Sequence, residues 1–146
     1  MIQRLDDPGG MFNMYEQHTV HAVILTGGRS SRMGGRHKPG ILIDGRSVID
    51  RTVATLWSAV PSAQVVIAGT DEGLSPNSRD QVDVVREDPP FSGPLAGVAA
   101  ALDAIPASDG VVILLGGDLP FLSSTTISKL VAAAIDGAEV ASCVDA

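Results

Sequence analysis

Apolar residues follow two kinds of pattern along the chain. In the first they form short, nearly unbroken runs rich in valine, isoleucine and leucine. These are Ala22-Val23-Ile24-Leu25, the QVVIAG of residues 64–69, the VDVVR of residues 82–86 and the VVILL of residues 111–115. Such runs predict strands covered on both faces in a parallel sheet. The most apolar, 111–115, is expected at the centre of that sheet. In the second pattern apolar residues recur every three or four positions. Val48, Ile49, Val53, Leu56, Trp57 and Val60 predict a helix ended by Pro61, with Asp50, Arg51 and Thr55 on its other faces. Ser92 as cap and Pro94 in the first turn predict a second helix of small residues through Ala101, closed by Pro106 after Ile105. Ser123 or Ser124 caps a third, which carries Ile127, Leu130, Val131 and Ile135 on one face.

The intervals are shorter on signal. Ile41-Leu42-Ile43 followed by Asp44-Gly45 reads as an extended piece and a turn. Residues 70–81 are polar and turn-rich and read as a plain surface connector, and residues 139–144 begin one more strand. Strands alternating with helices through right-handed crossovers give an α/β fold, a three-layer α/β/α arrangement around an open, mostly parallel sheet. One domain is expected over residues 21–146. Residues 1–20 lack the continuous apolar segment of a signal peptide and are expected to be a mobile extension, in which Met11 or Met14 is an alternative start. Ligands of such sheets sit beyond the carboxyl ends of the strands. Three unusual segments, 26–38, 87–97 and 116–120, all follow strand ends and are expected to converge there.

Composition adds two constraints. Of the 146 residues 45% are hydrophobic but only 3% aromatic, so aliphatic side chains must fill the core. The single Cys143 makes no intrachain disulfide and reads as a small buried hydrophobe, which fits a reducing cytoplasm. No run of about 18 apolar residues exists, so no membrane span is expected. The formal net charge of -7 argues against nucleic-acid binding, which needs a broad basic face.

Against that acidic background, Arg29, Arg32, Arg36 and Lys38 place four of the chain's 10 basic residues in one loop, TGGRSSRMGGRHK, residues 26–38. The glycine pairs Gly27-Gly28 and Gly34-Gly35 allow close backbone approach, and amides with cationic side chains suit a polyphosphate. The loop is neither a P-loop nor a dinucleotide fingerprint, since neither spacing occurs. Asp118, presented by Gly116-Gly117 at a strand end, is a candidate ligand for Mg²⁺, which takes one or two carboxylates with phosphates and waters. Arg32 and Lys38 are candidates to hold the phosphates. His18, His21 and His37 show no metal-ligand spacing.

Leu25, Thr26, Gly27, Gly28, Ser30, Arg32, Met33, Gly34 and Lys38, in that order, resemble the signature of the MobA-like nucleotidyltransferases, the molybdenum cofactor guanylyltransferase family. Gly116-Gly117-Asp118-Leu119-Pro120 resembles the family's metal-binding aspartate motif. Arg86-Glu87-Asp88 before Gly93-Pro94-Leu95-Ala96-Gly97 resembles its segment beside the guanine base. Two positions depart: His37 stands where the family usually has aspartate, and Ala68 where it often has a polar base contact.

The resemblance implies a Rossmann-like fold of the nucleotide-diphospho-sugar transferase type and Mg²⁺-dependent transfer of GMP from GTP to the phosphate of a molybdopterin acceptor, with release of pyrophosphate. Arg32, Lys38 and Asp118 would be catalytic, with Asp118 the metal ligand. Leu25, Thr26, Gly27, Gly28, Lys38, Asp88 and Asp118 would contact the nucleotide. A carboxylate only accepts hydrogen bonds, and guanine offers adjacent N1–H and N2–H₂ donors, which favours guanine; Glu87 competes with Asp88 for this role. A transferase for a sugar phosphate or other small phosphate, and a non-catalytic nucleotide-binding remnant, are the alternatives. Family members usually run several tens of residues further. The domain is therefore expected to be incomplete at its C-terminus, with a homodimer or partner completing the sheet edge near 139–144.

Overall fold

In chain order the elements are β1 (Val20–Leu25), a 3-10 turn (Lys38–Gly40), β2 (Leu42–Ile43), β3 (Arg46–Ser47), α1 (Val48–Ala59), β4 (Gln64–Ala68), α2 (Pro76–Arg79), β5 (Val82–Val85), α3 (Pro94–Ala104), β6 (Val111–Gly116) and α4 (Ser124–Ile135). They come from a computed structural model that describes residues 18–27, 38–89, 92–106 and 110–143. The four apolar runs form one parallel sheet in the order β5-β4-β1-β6. Its register aligns Val85, Ala68, Leu25 and Gly116 in a row at the carboxyl ends.

Alternation along β1 divides the core in two. Val20, Ala22 and Ile24 face α1 and α4, packing with Ile49, Val53, Leu56, Ile127 and Val131. Val23 turns the other way and packs with Val66, Ala68 and Ala101 under α3. The three-layer α/β/α arrangement follows from this period-two switch and from helices apolar on one face. Between β2 and β3, Asp44 (φ 51°) and Gly45 (φ 77°) both take left-handed conformations, as a tight hairpin turn requires. Among the described residues no helix is long and apolar enough to cross a membrane.

Several expectations are corrected. β6 is not central: β1 and β4 occupy the interior of the sheet, and Val112 and Leu114 are 45% and 52% exposed. α3 lies over β1, β4 and β5, so only Ile113 and Leu115 of that apolar run are deeply packed. Residues 139–143 form no strand. The chain leaving α4 folds back, with Gly137 at φ 102° and the Ala138 amide donating to the Ala133 carbonyl, and Val140 is 86% exposed. Among the described residues the open edges of the sheet are β5 and β6. Cys143, in the same tail, is exposed rather than buried. Gly93, not Ser92, caps α3, and the Ser92 hydroxyl donates to the Pro89 carbonyl instead.

The segment 70–81 is not a plain connector. It contains α2, capped by Ser75, whose hydroxyl accepts from the Ser78 amide. Asp50, expected on an outer face of α1, is 5% exposed and holds this segment. Its carboxylate accepts from the Ser75 amide (3.1 Å), the Ser75 and Ser78 hydroxyls (2.9 and 2.6 Å) and Arg46 Nε (2.8 Å). Burial alone would raise its pKa, but the hydrogen bonds from Ser78, Arg46 and Ser75 outweigh that and lower it from 3.8 to about 2.

Because the folded-state pKa lies below the unfolded one, Asp50 contributes stability above about pH 4 that is lost as pH falls towards 2, on the order of 2 kcal/mol. In urea titrations the difference between wild type and Asp50→Asn should shrink over that window; a constant difference from pH 7 to pH 2 would contradict this. Leu56, fully buried between α1 and the sheet, should lose about 2–5 kcal/mol on substitution by Ala in the same measurement at pH 7.

Candidate active site

One residue past the strand-end row, the chain carries Arg86, Gly69, Thr26 and Gly117, and these four are fastened to one another. The Thr26 and Gly27 amides both donate to the Ala68 carbonyl, at 3.0 and 3.2 Å. The buried Thr26 hydroxyl donates to the Thr70 carbonyl (2.7 Å) and accepts from the Thr70 amide (2.9 Å), tying the exit of β1 to the exit of β4. Arg86 Nε donates to the Gly69 carbonyl at 3.2 Å, and the Gly69 amide donates to Val85. On the far side the Gly117 amide donates to the Leu25 carbonyl at 2.8 Å.

Two glycines make this closeness possible. At Gly69 (φ 129°) a Cβ would stand 2.5 Å from the Gly27 nitrogen and 2.7 Å from Thr26 Oγ1. At Gly117 a Cβ would stand 2.9 Å from Thr26 Cγ2, 3.0 Å from the Leu25 carbonyl oxygen and 3.3 Å from Pro39 Cγ. Any side chain at either position would push the strand exits apart. Sequence reasoning named Arg86 only within the Arg86-Glu87-Asp88 segment and did not single out Gly69, for which the one available signal was a glycine directly after an apolar strand.

Leu25, Thr26, Gly27, Lys38 and Asp118 therefore lie at the same end of the sheet. A Cβ at Gly117 would meet both Thr26 and Pro39, and Gly27, Lys38 and Asp118 are the immediate chain neighbours of these three residues. Lys38 is exposed and begins the 3-10 turn, which closes through the Ile41 amide on the Lys38 carbonyl (3.1 Å) with Pro39 buried beneath. Asp118 is exposed, and its Oδ1 lies 3.1 Å from where a Cβ at Gly116 would be, so the carboxylate folds back over the end of β6. Gly28 and Arg32 lie outside the described residues.

The base-contact candidates separate. Glu87 is half-buried, with Oε2 3.9 Å from the Cβ position of Gly97, whose other neighbours would be Leu25 Cδ2 (3.7 Å) and the Ala68 Cβ (3.8 Å). Asp88 is exposed. Glu87 thus lies beside Gly97, with Leu25 and Ala68 close by.

Among the described residues no group of three or more His, Cys, Asp and Glu side chains gathers to hold a metal. A lone exposed carboxylate fits a hard cation that takes its remaining ligands from phosphate and water, and it does not fit a closed metal cage. Elsewhere, an open groove of about 450 Å³ between α1 and the start of α4 is lined by Arg46, Arg51, Thr55, Ser58, Ser123 and Ser124. Its guanidinium groups are engaged structurally, Arg46 on Asp50 and Arg51 on the Ile43 carbonyl (2.6 Å).

Comparison with known proteins bears on this geometry directly. Residues 22–146 match the family described as the MobA-like NTP transferase domain. The molybdenum cofactor guanylyltransferase of Sinorhizobium fredii (strain NBRC 101917 / NGR234) is 36% identical over 124 residues, covering 82% of this chain and 55% of that protein. That of Yersinia pestis (strain Pestoides F) is 36% identical over 116 residues, covering 78% and 56%. A nucleotidyl transferase from Methanothermobacter thermautotroptrophicus superposes with a TM-score of 0.62 at 28% identity, covering 78% of this chain and 57% of that one. The chain thus spans about half the length of the curated relatives it matches. The parallel sheet flanked by helices is that of the nucleotide-diphospho-sugar transferase fold. On the match over residues 22–146, this chain belongs to the MobA-like NTP transferase family.

Proposed function

We propose that the chain binds GTP at the carboxyl ends of β1 and β6 and serves the transfer of GMP to the phosphate of a molybdopterin acceptor. The observation that supports this most is the close approach at Gly117, where an added Cβ would meet both Thr26 and Pro39, so that the neighbours Gly27, Lys38 and Asp118 lie near one strand end. A triphosphate needs a cation, amide donors and a carboxylate-bound metal within one span, and these residue types are the ones gathered there. The names of the relatives at 36% identity support the guanylyl donor and the molybdopterin acceptor. A cytoplasmic location fits this substrate.

In the proposed reaction an acceptor phosphate oxygen attacks the α-phosphorus of GTP in line. The bond from the α-phosphorus to the α,β-bridging oxygen breaks, and pyrophosphate leaves with the electron pair. Catalysis of this kind rests on alignment and neutralisation of growing charge. Lys38 donates to the β- and γ-phosphate oxygens, and its contact strengthens as negative charge moves onto the leaving group. Arg32 serves the same oxygens. Leu25, Thr26, Gly27 and Gly28 carry the nucleotide on their backbones. Asp118 would hold a bound Mg²⁺, which supplies charge neutralisation on the phosphates. Glu87 or Asp88 accepts from guanine N1–H and N2–H₂. A second copy or a partner would extend the sheet at one of its open edges, β5 or β6.

Incubation of the chain with GTP, ATP, CTP or UTP, Mg²⁺ and the acceptor should release pyrophosphate with GTP. Release only with CTP or UTP would overturn the guanylyl reading, and release only with a sugar phosphate would overturn the acceptor. Lys38→Ala and Asp118→Asn, both at exposed positions, should each lower turnover about 100-fold or more with little change in the urea midpoint. Unchanged turnover in both would remove these residues from the reaction. GTP binding without pyrophosphate release would leave a nucleotide-binding role alone.

A further inference from the structure

We propose that residues 70–79 form a strap that fixes the Lys38–Gly40 turn relative to Thr26 and Gly27, with Asp50 and Gly73 as positioning residues. The assignment of Lys38 and Gly27 to a nucleotide rests on the reading above; the strap itself rests on three fastenings.

The first is at Thr70, whose amide and carbonyl both pair with the Thr26 hydroxyl, one residue before Gly27. The second is at Gly73 (φ 97°), where a Cβ would stand 2.8 Å from Gly40 Cα, 3.2 Å from Ile49 Cγ2 and 3.3 Å from Ser47 Cβ. The Gly73 carbonyl also accepts the Ser47 hydroxyl. Gly40 belongs to the same one-turn helix as Lys38, with Pro39 buried between them, so a shift at Gly73 passes to Lys38 through a rigid unit. The third is the Asp50 carboxylate, which takes the Ser75 amide and both the Ser75 and Ser78 hydroxyls. An ion pair between Asp71 and Arg79 closes the strap on itself.

The conduct of Asp50 separates this from ordinary helix capping. It sits at the third position of α1 behind the cap Ser47, whose hydroxyl accepts the Asp50 amide at 3.2 Å. An acidic side chain there commonly reaches back to the cap's own amide. The Asp50 side chain instead reaches residues 25 and 28 positions away in the sequence. Substitution by asparagine brings two donors against donors already present, and leaves a buried hydroxyl or guanidinium without an acceptor. A side chain at Gly117 would meet Thr26 and Pro39 from the β6 side, and the strap closes on Thr26 and Gly40 from the β4 side.

The test uses the full chain carrying Asp50→Asn or Gly73→Ala, with Leu56→Ala as a core variant outside the strap and its three fastenings. Amide hydrogen exchange is followed at Thr70 and Ile41 without ligand, and affinity for GTP with Mg²⁺ is measured by calorimetry. Both strap variants should speed exchange at these two amides at least about 10-fold beyond the Leu56→Ala variant at matched global stability, and weaken GTP at least about 10-fold. The Lys38→Ala variant should weaken GTP and leave both exchange rates unchanged. Exchange no faster than in the core variant would overturn the strap, and faster exchange with unaltered GTP affinity would overturn its positioning role. If the wild type binds no nucleotide, the functional reading falls separately, while exchange still decides the strap. Should Gly73→Ala not fold, Asp50→Asn carries the test.

Discussion

Beyond the last residue of β1, the backbone at Thr26 and Gly27 is enclosed by Gly69 on one side and Gly117 on the other, closely enough that neither position has room for a methyl group. This constraint governs the rest of the site. Three strands end in register, and the residues that follow them are locked by the Thr26–Thr70 pair and by the Gly117 amide on Leu25. A residue one position further on each strand, such as Gly27 or Asp118, inherits the precision of the sheet rather than the looseness of a free loop.

The layers beneath serve that end. The core around Ile24, Ile49, Leu56 and Ile127 anchors β1 from one face, and the small residues of α3 let a helix approach Leu25 and Ala68 from the other, with Gly97 within ordinary contact of both. Polar anchoring is concentrated between α1 and the segment after β4. There a single ionised carboxylate satisfies an amide, two hydroxyls and a guanidinium. A buried charge with that many donors is far from the weak surface ion pair, and removing it leaves those donors without their acceptor.

The strands and principal helices were legible because each is signalled locally, by continuous apolar runs or by recurrence every three to four residues. What was not legible depended on distant partners. The run at 111–115 is as apolar as a central strand, yet whether it lies inside or at the edge is decided by what α3 covers. Residues 139–143 have strand-like composition but form no ladder, because the α4 exit turns back on Ala133. Asp50 looked like one more polar residue on a helix, since nothing nearby in sequence reveals Ser75 and Ser78. At the site, the order of Leu25, Thr26, Gly27, Lys38 and Asp118 was sufficient to expect their convergence. The difference in burial between Glu87 and Asp88 was not legible, because two adjacent carboxylates after a strand look alike in sequence. Gly69 was missed because its importance lies in the contact it permits, not in a side chain.

The central claim is that a triphosphate is held where β1, β4 and β6 end, not in the arginine-lined groove between α1 and α4. Titrating the ¹⁵N-labelled chain with GTP and Mg²⁺ and following backbone amide shifts tests this directly. The account predicts that the largest changes fall at Gly27, Lys38, Gly69 and Asp118. Changes concentrated at Arg51, Thr55, Ser123 and Ser124, with those four amides still, would contradict it.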